Sequence, residues 1–370
     1  MSTVLLLARN MVTYDHTRIV YGGHTAALSG GDIYADAGDL SILNTTFAGS
    51  SAFVAGICYM MESSTLLIKD SVLSESTAVY DSGLALVGST MLMTDCIVRD
   101  TVASYSLGAL AFSADSSVHI VRTRLQNNRA DAGLAGCLYV RASTVTVENS
   151  DIIDCSAGLA APVFFGRAGG HMIFIDSRIV GSSAEDASQV YRGNVGYIDA
   201  TSSVRIAGGT IVNASGPDQF AILDESLVDF GLILDSVIVD ETVNIFSNGS
   251  KVLLQNCEGF SSTTVAKAEI ATCASASDYC LRTACVDTSA GIDCICKVDG
   301  AETPFPTNCM ESAVIEVLLP STHTLTYLIN KPFNESAEVL LANVRINQLC
   351  RVVQICSLPF VCAFVDIPVS

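Results

Sequence analysis

Basic side chains are scarce in this chain. Lysine and arginine together number 19 against 38 aspartates and glutamates, for a formal charge of −19. A phosphate backbone needs clustered cations, so this shortage argues against nucleic-acid binding. Long apolar runs are missing too. The most apolar stretch, Val352 to Val365, is interrupted by Gln354, Ser357 and Pro359 and falls short of the roughly 20 residues that a membrane span needs. Val4-Leu-Leu-Leu-Ala8 is too short for a secretory-signal core and has no basic lead-in, so secretion is not legible from a leader. The histidines His16, His24, His119, His171 and His323 share no ligand spacing. The glycine-rich turns lack the Lys-Ser/Thr sequel of a phosphate loop, and no cofactor is expected. The acidic balance reads as a solvated surface.

What is present is a repeat. Ser143-Thr-Val-Thr-Val-Glu-Asn-Ser-Asp-Ile152 returns as Ser64-Thr-Leu-Leu-Ile-Lys-Asp-Ser-Val-Leu73, as Ser89-Thr-Met-Leu-Met-Thr-Asp-Cys-Ile-Val98 and as Ser116-Ser-Val-His-Ile-Val-Arg-Thr-Arg-Leu125. One anchor position falls at Asn44, Asp70, Asp95, Arg122, Asn149 and Asp176, in steps of 26, 25, 27, 27 and 27. The register then loosens through Gly208, Asp235 and Asn256.

Apolar residues alternate in short bursts rather than at helical spacing, so strands are expected. The first burst follows a small residue and gives Ile33/Ala35, Cys58/Met60, Ala85/Val87, Leu110/Phe112 and Leu138/Val140. The second gives Leu66/Ile68, Met91/Met93, Val118/Ile120, Val145/Val147, Met172/Phe174 and Val204/Ile206. The third supplies Phe47, Leu73, Val98, Leu125, Ile152, Ile179, Ile211 and Ile238. Period-two alternation puts each set on one face, so successive repeats stack like on like. Three strands in about 26 residues describe a parallel β-helix, an all-β solenoid of about nine coils over residues 1–262.

The phrase Gly30-Gly-Asp-Ile33, its echoes Ala55-Gly-Ile57 and Ala135-Gly-Cys137, and Leu125-Gln-Asn-Asn128 resemble the repeats of polymorphic outer-membrane-protein-type, pectin-lyase-like β-helices. The resemblance implies a right-handed coil, which is also the general preference of parallel crossovers. Members that cleave galacturonan carry Asn-Thr-Asp, Asp-Asp, Gly-His-Gly and Arg-Ile-Lys, none of which occurs here. A carbohydrate-active enzyme is therefore the alternative and not the leading reading; two carboxylates on stacked coils would suffice for it. The Asp/Asn column at Asp70, Asp95, Asn149, Asp176, Asp235 and Asn256 could hold calcium. Short polar side chains are equally what a corner between strands needs, and turn formers are the favoured reading. His119 falls on the outward parity between Val118 and Ile120.

Six of the 14 cysteines are packed into one block, Cys273-x6-Cys280-x4-Cys285-x8-Cys294-x-Cys296-x12-Cys309. So short a segment cannot bury enough surface to hold itself, and disulfides would replace the core. Spacing alone leaves fifteen connectivities open. The block, within 268–310, resembles an epidermal-growth-factor-like module, which implies the pairs Cys273–Cys285, Cys280–Cys294 and Cys296–Cys309. Residues 311–370 alternate in runs separated by turns and read as the start of an antiparallel β-sandwich, too short to complete one, so the chain is expected to be part of a longer protein. Cys58, Cys96, Cys137, Cys155, Cys257, Cys350, Cys356 and Cys362 are left without assigned partners, with Cys58 expected as a small buried hydrophobe.

The cysteine block points to an oxidising compartment, and sequons at Asn44, Asn213, Asn248 and Asn334 make these asparagines candidate glycosylation sites. The expected function is that of a non-enzymatic extracellular or cell-surface protein, whose rod serves adhesion, glycan binding or matrix structure. Polysaccharides, cell-surface glycans or other extracellular proteins are the expected partners. No catalytic, cofactor or metal-binding residue is assigned.

Overall fold

The computed structural model describes residues 29–258, apart from 106–107, 160, 185–192, 213–219, 223–229 and 240–243, together with separate strand segments between Val4 and Asp366. Contacts divide the chain into two units, one built mainly of residues 1–279 and one mainly of 293–370.

The first unit is an all-β parallel solenoid of about seven turns, without a helix among the described residues. One coil runs Ile33–Asp36, Asp39–Leu43, Thr46–Ala48 and Ser51–Val54, and the next runs Cys58–Met61, Thr65–Lys69, Val72–Ser74 and Thr77–Tyr80. Each strand pairs in parallel with its equivalents in the coils on either side, which makes four ladders. Two expectations are corrected. There are about seven turns rather than nine. Each full coil has four strands rather than three. The fourth buries a single small residue, Ala52, Ala78, Ala103, Ala130 or Ala157, so it shows no alternation from which it could be read.

The inward residues of the first three ladders form one continuous core. The second ladder stacks Leu66, Met91, Val118, Val145, Met172 and Val204 in one column and Ile68, Met93, Ile120, Val147, Phe174 and Ile206 beside it, as the alternation predicts. In the first ladder Ile33, Cys58, Leu110 and Leu138 are also inward, but the coil between them departs. Leu84 and Leu86, not Ala85 and Val87, align with Cys58 and Met60. Ser82 occupies the place that Gly31, Gly56, Gly108 and Gly136 hold elsewhere, so counting from Gly83 slips the register by one residue and exchanges the faces. The same slip occurs near the end, where Val239 and not Ile238 pairs with Ile211 and Ile238 is 48% exposed.

The corners explain the repeat. Asn44, Asp70, Asp95, Arg122, Asn149, Asp176 and Asn256 all have φ between 45° and 55°, and Ser236 rather than Asp235 takes this role in its coil, with φ 56°. A second corner column, Glu75, Asp100, Asn127 and Asp154, is left-handed as well. Asn and Asp tolerate this region better than other side chains, so the column consists of turn formers. At the corner the chain reverses without losing its ladder. The Asn149 N–H donates to the Ile175 carbonyl one coil on, at 2.9 Å, and the Asp95 N–H to that of Val121, at 3.1 Å.

The next residue turns inward and is a small polar one: Thr45, Ser71, Cys96, Thr123, Ser150 or Ser177, each almost fully buried. Its hydroxyl donates to the carbonyl two residues back, 2.7 Å for Ser150 to Glu148, and accepts the N–H of its counterpart one coil earlier, 3.0 Å from Thr123 to Ser150. Buried hydroxyls are thereby satisfied along the rod axis. A parallel row, Ser64, Ser89, Ser116 and Ser143, does the same between the first two ladders, as in the 3.1 Å bond from the Ser116 N–H to Ser143.

The second unit contains antiparallel pairs: Met310–Leu318 with Thr324–Pro332, and Val352–Ser357 between Val344–Ile346 and Val361–Asp366.

Because Asn149 sits in the left-handed region, Asn149→Val should lower the unfolding free energy by about 1–2 kcal/mol and Asn149→Gly should change it by less than about 0.5 kcal/mol. Equal loss in both variants in urea titrations would show that the corner conformation is not the constraint.

Candidate functional face and buried sites

Inward positions are committed to the core, so binding chemistry has to sit on outward positions. The outward face of the second ladder presents Thr65, Thr90, Ser117 and Thr144 in one column and Leu67, Leu92, His119 and Thr146 in the next. These residues line a shallow trough of about 530 Å³. A second trough of about 580 Å³ shares Ser117 and Thr144 and continues over Asp115, Gly169 and His171. Together they form one lateral face of hydroxyls and apolar side chains, and Asp115 is the one carboxylate among the lining residues.

Charges gather at the edges of this face. His119 Nε2 lies 3.2 Å from Glu148 Oε2, with both side chains partly exposed, which confirms the outward parity of His119. His171 Nδ1 lies 2.8 Å from Ser203 Oγ. Arg122 donates through Nε and Nη2 to the two oxygens of Asp95, at 2.7 and 2.8 Å, and through Nη2 to Thr94 Oγ1 at 3.0 Å. The hydrogen bond from Arg122 holds the Asp95 carboxyl below its usual range, with Arg122 shifted upward in return. Arg122 interrupts the acidic corner column and neutralises its neighbour. Among the described residues no group of three His, Cys, Asp or Glu is placed to hold a metal ion.

Two of the unassigned cysteines are brought together. Cys137, at the entry to the first ladder, is bonded to Cys155, at the entry to the fourth, inside the core with Cα atoms 5.9 Å apart. Nothing in their spacing of 18 residues announced the pair. Cys58 is fully buried in the column expected for it, and burial pushes its thiol well above the ordinary range. Burial likewise pushes Cys96 up to about 11 and Cys257 up to about 12, so none of the three is poised as a thiolate. Asn44 is exposed at its corner. Asn213 and Asn334, and the side chain of Asn248, lie outside the described residues, as do Cys273, Cys280 and Cys309 and the side chains of Cys285, Cys294 and Cys296.

A second apolar cluster lies outside the solenoid, where the fourth ladder leads into the first. Outward residues of the first ladder stack there: Tyr34 on Tyr59 at 5.7 Å, and Tyr139 on Phe165 on Tyr197 at 5.9 and 4.3 Å. Between the two stacks the column carries only Ala85 and Ala111. Asp81 stands at this break, 8% exposed and with φ 55°. Its Oδ1 has no hydrogen-bond partner, and burial pushes the carboxyl up to about 7.

Comparison with protein-family models, with curated proteins and with solved structures finds no match.

Mass spectrometry of unreduced protein should find the peptides of Cys137 and Cys155 joined, and reduction should cost about 3 kcal/mol for a loop of this size; free thiols at both would refute the pairing. Asp81 ionises in the unfolded chain near the ordinary aspartate value of 3.8 but in the folded chain only near 7. Its contribution to stability is therefore complete below about pH 4 and is lost as the pH rises through about 7, by up to about 4 kcal/mol. Asp81→Asn should remove this component of the pH dependence and melt higher than the parent at pH 8. An unchanged slope between pH 4 and 8 would show that Asp81 ionises freely.

Proposed function

We propose that the chain is a non-enzymatic extracellular or cell-surface protein whose solenoid presents a lateral face to glycans. The observation that carries this reading is the pair of contiguous troughs on the second ladder, lined mainly by hydroxyls and apolar side chains over successive coils. A neutral polar chain lying along such a face meets a hydroxyl from each coil for hydrogen bonding and, at Leu67 and Leu92, an apolar surface for its ring faces. The coil spacing of about 4.8 Å sets the repeat of these contacts. The core disulfide Cys137–Cys155 supports an oxidising compartment, and exposed Asn44 is compatible with glycosylation there. The cysteine block at 273–309 remains, in this reading, an epidermal-growth-factor-like spacer, followed by a sandwich-like β module. The right-handed coiling implied by the repeat resemblance belongs to the same proposal. Adhesion and matrix structure are the roles that such a rod serves.

One observation favours a second reading. Asp115 and His171 line the same trough, and a carboxyl and an imidazole on one surface are the residue types of general acid–base chemistry. A carbohydrate-active enzyme would use them.

Affinity electrophoresis of the intact chain through neutral and acidic polysaccharides separates the readings. Retardation is expected in at least one neutral polysaccharide, reduced at least fivefold by Leu92→Asp and unchanged by Ile238→Asp on another face, with no new reducing ends after prolonged incubation. Absence of retardation in every polysaccharide would sink the binding reading. Release of reducing ends that is lost in Asp115→Asn would replace it with the enzymatic one.

A further inference from the structure

Arg99, Arg122, Arg124, Arg129 and Arg205 each sit within ion-pair distance of a carboxylate. Arg141 and Arg167 depart from this together. Arg141 ends the first-ladder strand Leu138–Arg141, Arg167 ends Phe164–Arg167 one coil on, and the two are exposed and paired in register. Parity turns them outward, to the face that carries Tyr139 and Phe165 two residues before them. Two arginine side chains therefore leave the backbone one coil spacing apart, about 4.8 Å. Like charges so placed repel. In a chain of 38 acidic and 19 basic side chains, a carboxylate beside them is the expectation.

Among the described residues neither arginine makes an ion pair. Asp199, which follows the register partner of Gly166 on the next coil, is committed to its own turn. Its Oδ2 accepts the Ala168 N–H at 2.6 Å, and its Oδ1 accepts the Thr201 N–H at 3.1 Å and the Ser202 hydroxyl at 2.7 Å. What the two arginines share is the Tyr139 hydroxyl: burial pushes it up, and the charges of Arg167 and Arg141, with a hydrogen bond from Arg167, act against that rise. The residues that follow them, Ala142 and Ala168, are left-handed corners with φ 45° and 52°, and both line the trough of about 580 Å³ together with Gly169. A Cβ on Gly169 would meet no atom within 4 Å, so the surface is open at this corner. The arginine pair thus stands at the first-ladder edge of a trough that Ser117, Thr144 and His171 also line.

We propose that Arg141 and Arg167 together bind a tetrahedral oxyanion ester, sulfate or phosphate, carried by the glycan that occupies the second trough. The inference rests on the glycan reading of that trough and adds an acidic substituent to it. Charge selects an anion. Geometry selects a tetrahedral one: a carboxylate has two oxygens and a single guanidinium fork occupies both, whereas a sulfate or phosphate monoester offers three terminal oxygens that two forks on neighbouring coils can share. The rest of the face limits how many such groups the chain carries. The first trough has no lysine or arginine in its lining and the formal charge is −19, so an ester on every sugar is repelled. A mostly neutral chain with an isolated ester over this corner is the fit.

The test is isothermal titration calorimetry of the intact chain at low ionic strength with glucose 6-sulfate, glucose 6-phosphate, glucuronate and glucose. One of the two esters is expected to bind about tenfold tighter than glucuronate, with no saturable heat from glucose. The arms tell the sources apart: a sulfate ester binds alike at pH 5 and pH 8, whereas a phosphate ester gains affinity as its second ionisation, near about pH 6, completes. Arg141→Gln and Arg167→Gln should each weaken binding about tenfold, and Arg178→Gln, which removes the same charge from the third ladder, should leave it unchanged. Binding of neither ester would overturn the proposal, as would equal binding of glucuronate or an equal loss in the Arg178 variant. Inorganic sulfate binding as tightly as the sugar esters would make the pair an adventitious ion site only and overturn it too. Retardation in neutral polysaccharides with no ester binding would remove this site and leave the glycan face standing. Ester binding without retardation in any polysaccharide would remove the glycan reading and the assignment of the ester to a glycan with it.

Discussion

The hydrogen bond from each corner N–H to a carbonyl one coil away is what the rest of the rod depends on. A solenoid must turn several times per coil without leaving backbone groups unpaired, since buried N–H and C=O groups are almost always bonded. Here the turn is made by single left-handed residues, so the ladder runs through the corner instead of stopping at it. Placing a non-glycine residue there costs about 1–2 kcal/mol, and asparagine and aspartate reduce that cost. That preference accounts for the Asp and Asn column without calcium. Arg122 is held at the same φ of 45°, where its guanidinium clasps Asp95 on the neighbouring coil.

The corner also dictates the identity of the residue after it. A left-handed residue swings the next side chain inward, where Ser, Thr or Cys stands in most coils and Val237 in one. Each hydroxyl donates within its own coil and accepts from the coil before, so the rows of Ser64 to Ser143 and Thr45 to Ser177 tie coils together along the axis while the apolar columns fill the interior. Close backbone approach imposes a second demand. A Cβ on Gly31 would lie 2.0 Å from the Gly56 carbonyl oxygen, which explains the glycine before the first ladder. The coil at Ser82 departs from this pattern, and it is also the coil that carries Asp81 and loses its outer aromatic.

Much of this is legible in the sequence because a solenoid repeats its constraints. The second-ladder pairs, the corner column and the burial of Cys58 follow from alternation and period alone. The failures have physical reasons. Counting from Gly83 and from Asp235 requires the punctuating residue to keep its place, and a single-residue offset reverses every face of a strand. The fourth ladder is invisible because one alanine per strand carries no alternation. The Cys137–Cys155 bond is invisible because it joins positions on different sides of the same coil, a proximity that only the closed cross-section creates. The outer aromatic column does leave a trace in sequence, Tyr34, Tyr59, Tyr139, Phe165 and Tyr197, but at outward positions, where alternation predicts no constraint.

That last point bears on where function lies in such a chain. Inward columns and corners are determined by neighbours one coil away, and their residues report on the fold alone. Outward positions divide into two kinds. On the second ladder they change from coil to coil, Leu67, Leu92, His119, Thr146, with no structural demand that fixes them, and it is on this face that the proposed glycan contacts are placed. In the outer aromatic column a structural demand does exist, and the informative coils are those that violate it. Ala85, Ala111 and Ala221 carry methyl groups where other coils stack rings, and Asp81 adds a buried acceptor without a donor. A repeat protein tolerates a locally unfavourable coil because the coils on either side hold it in register.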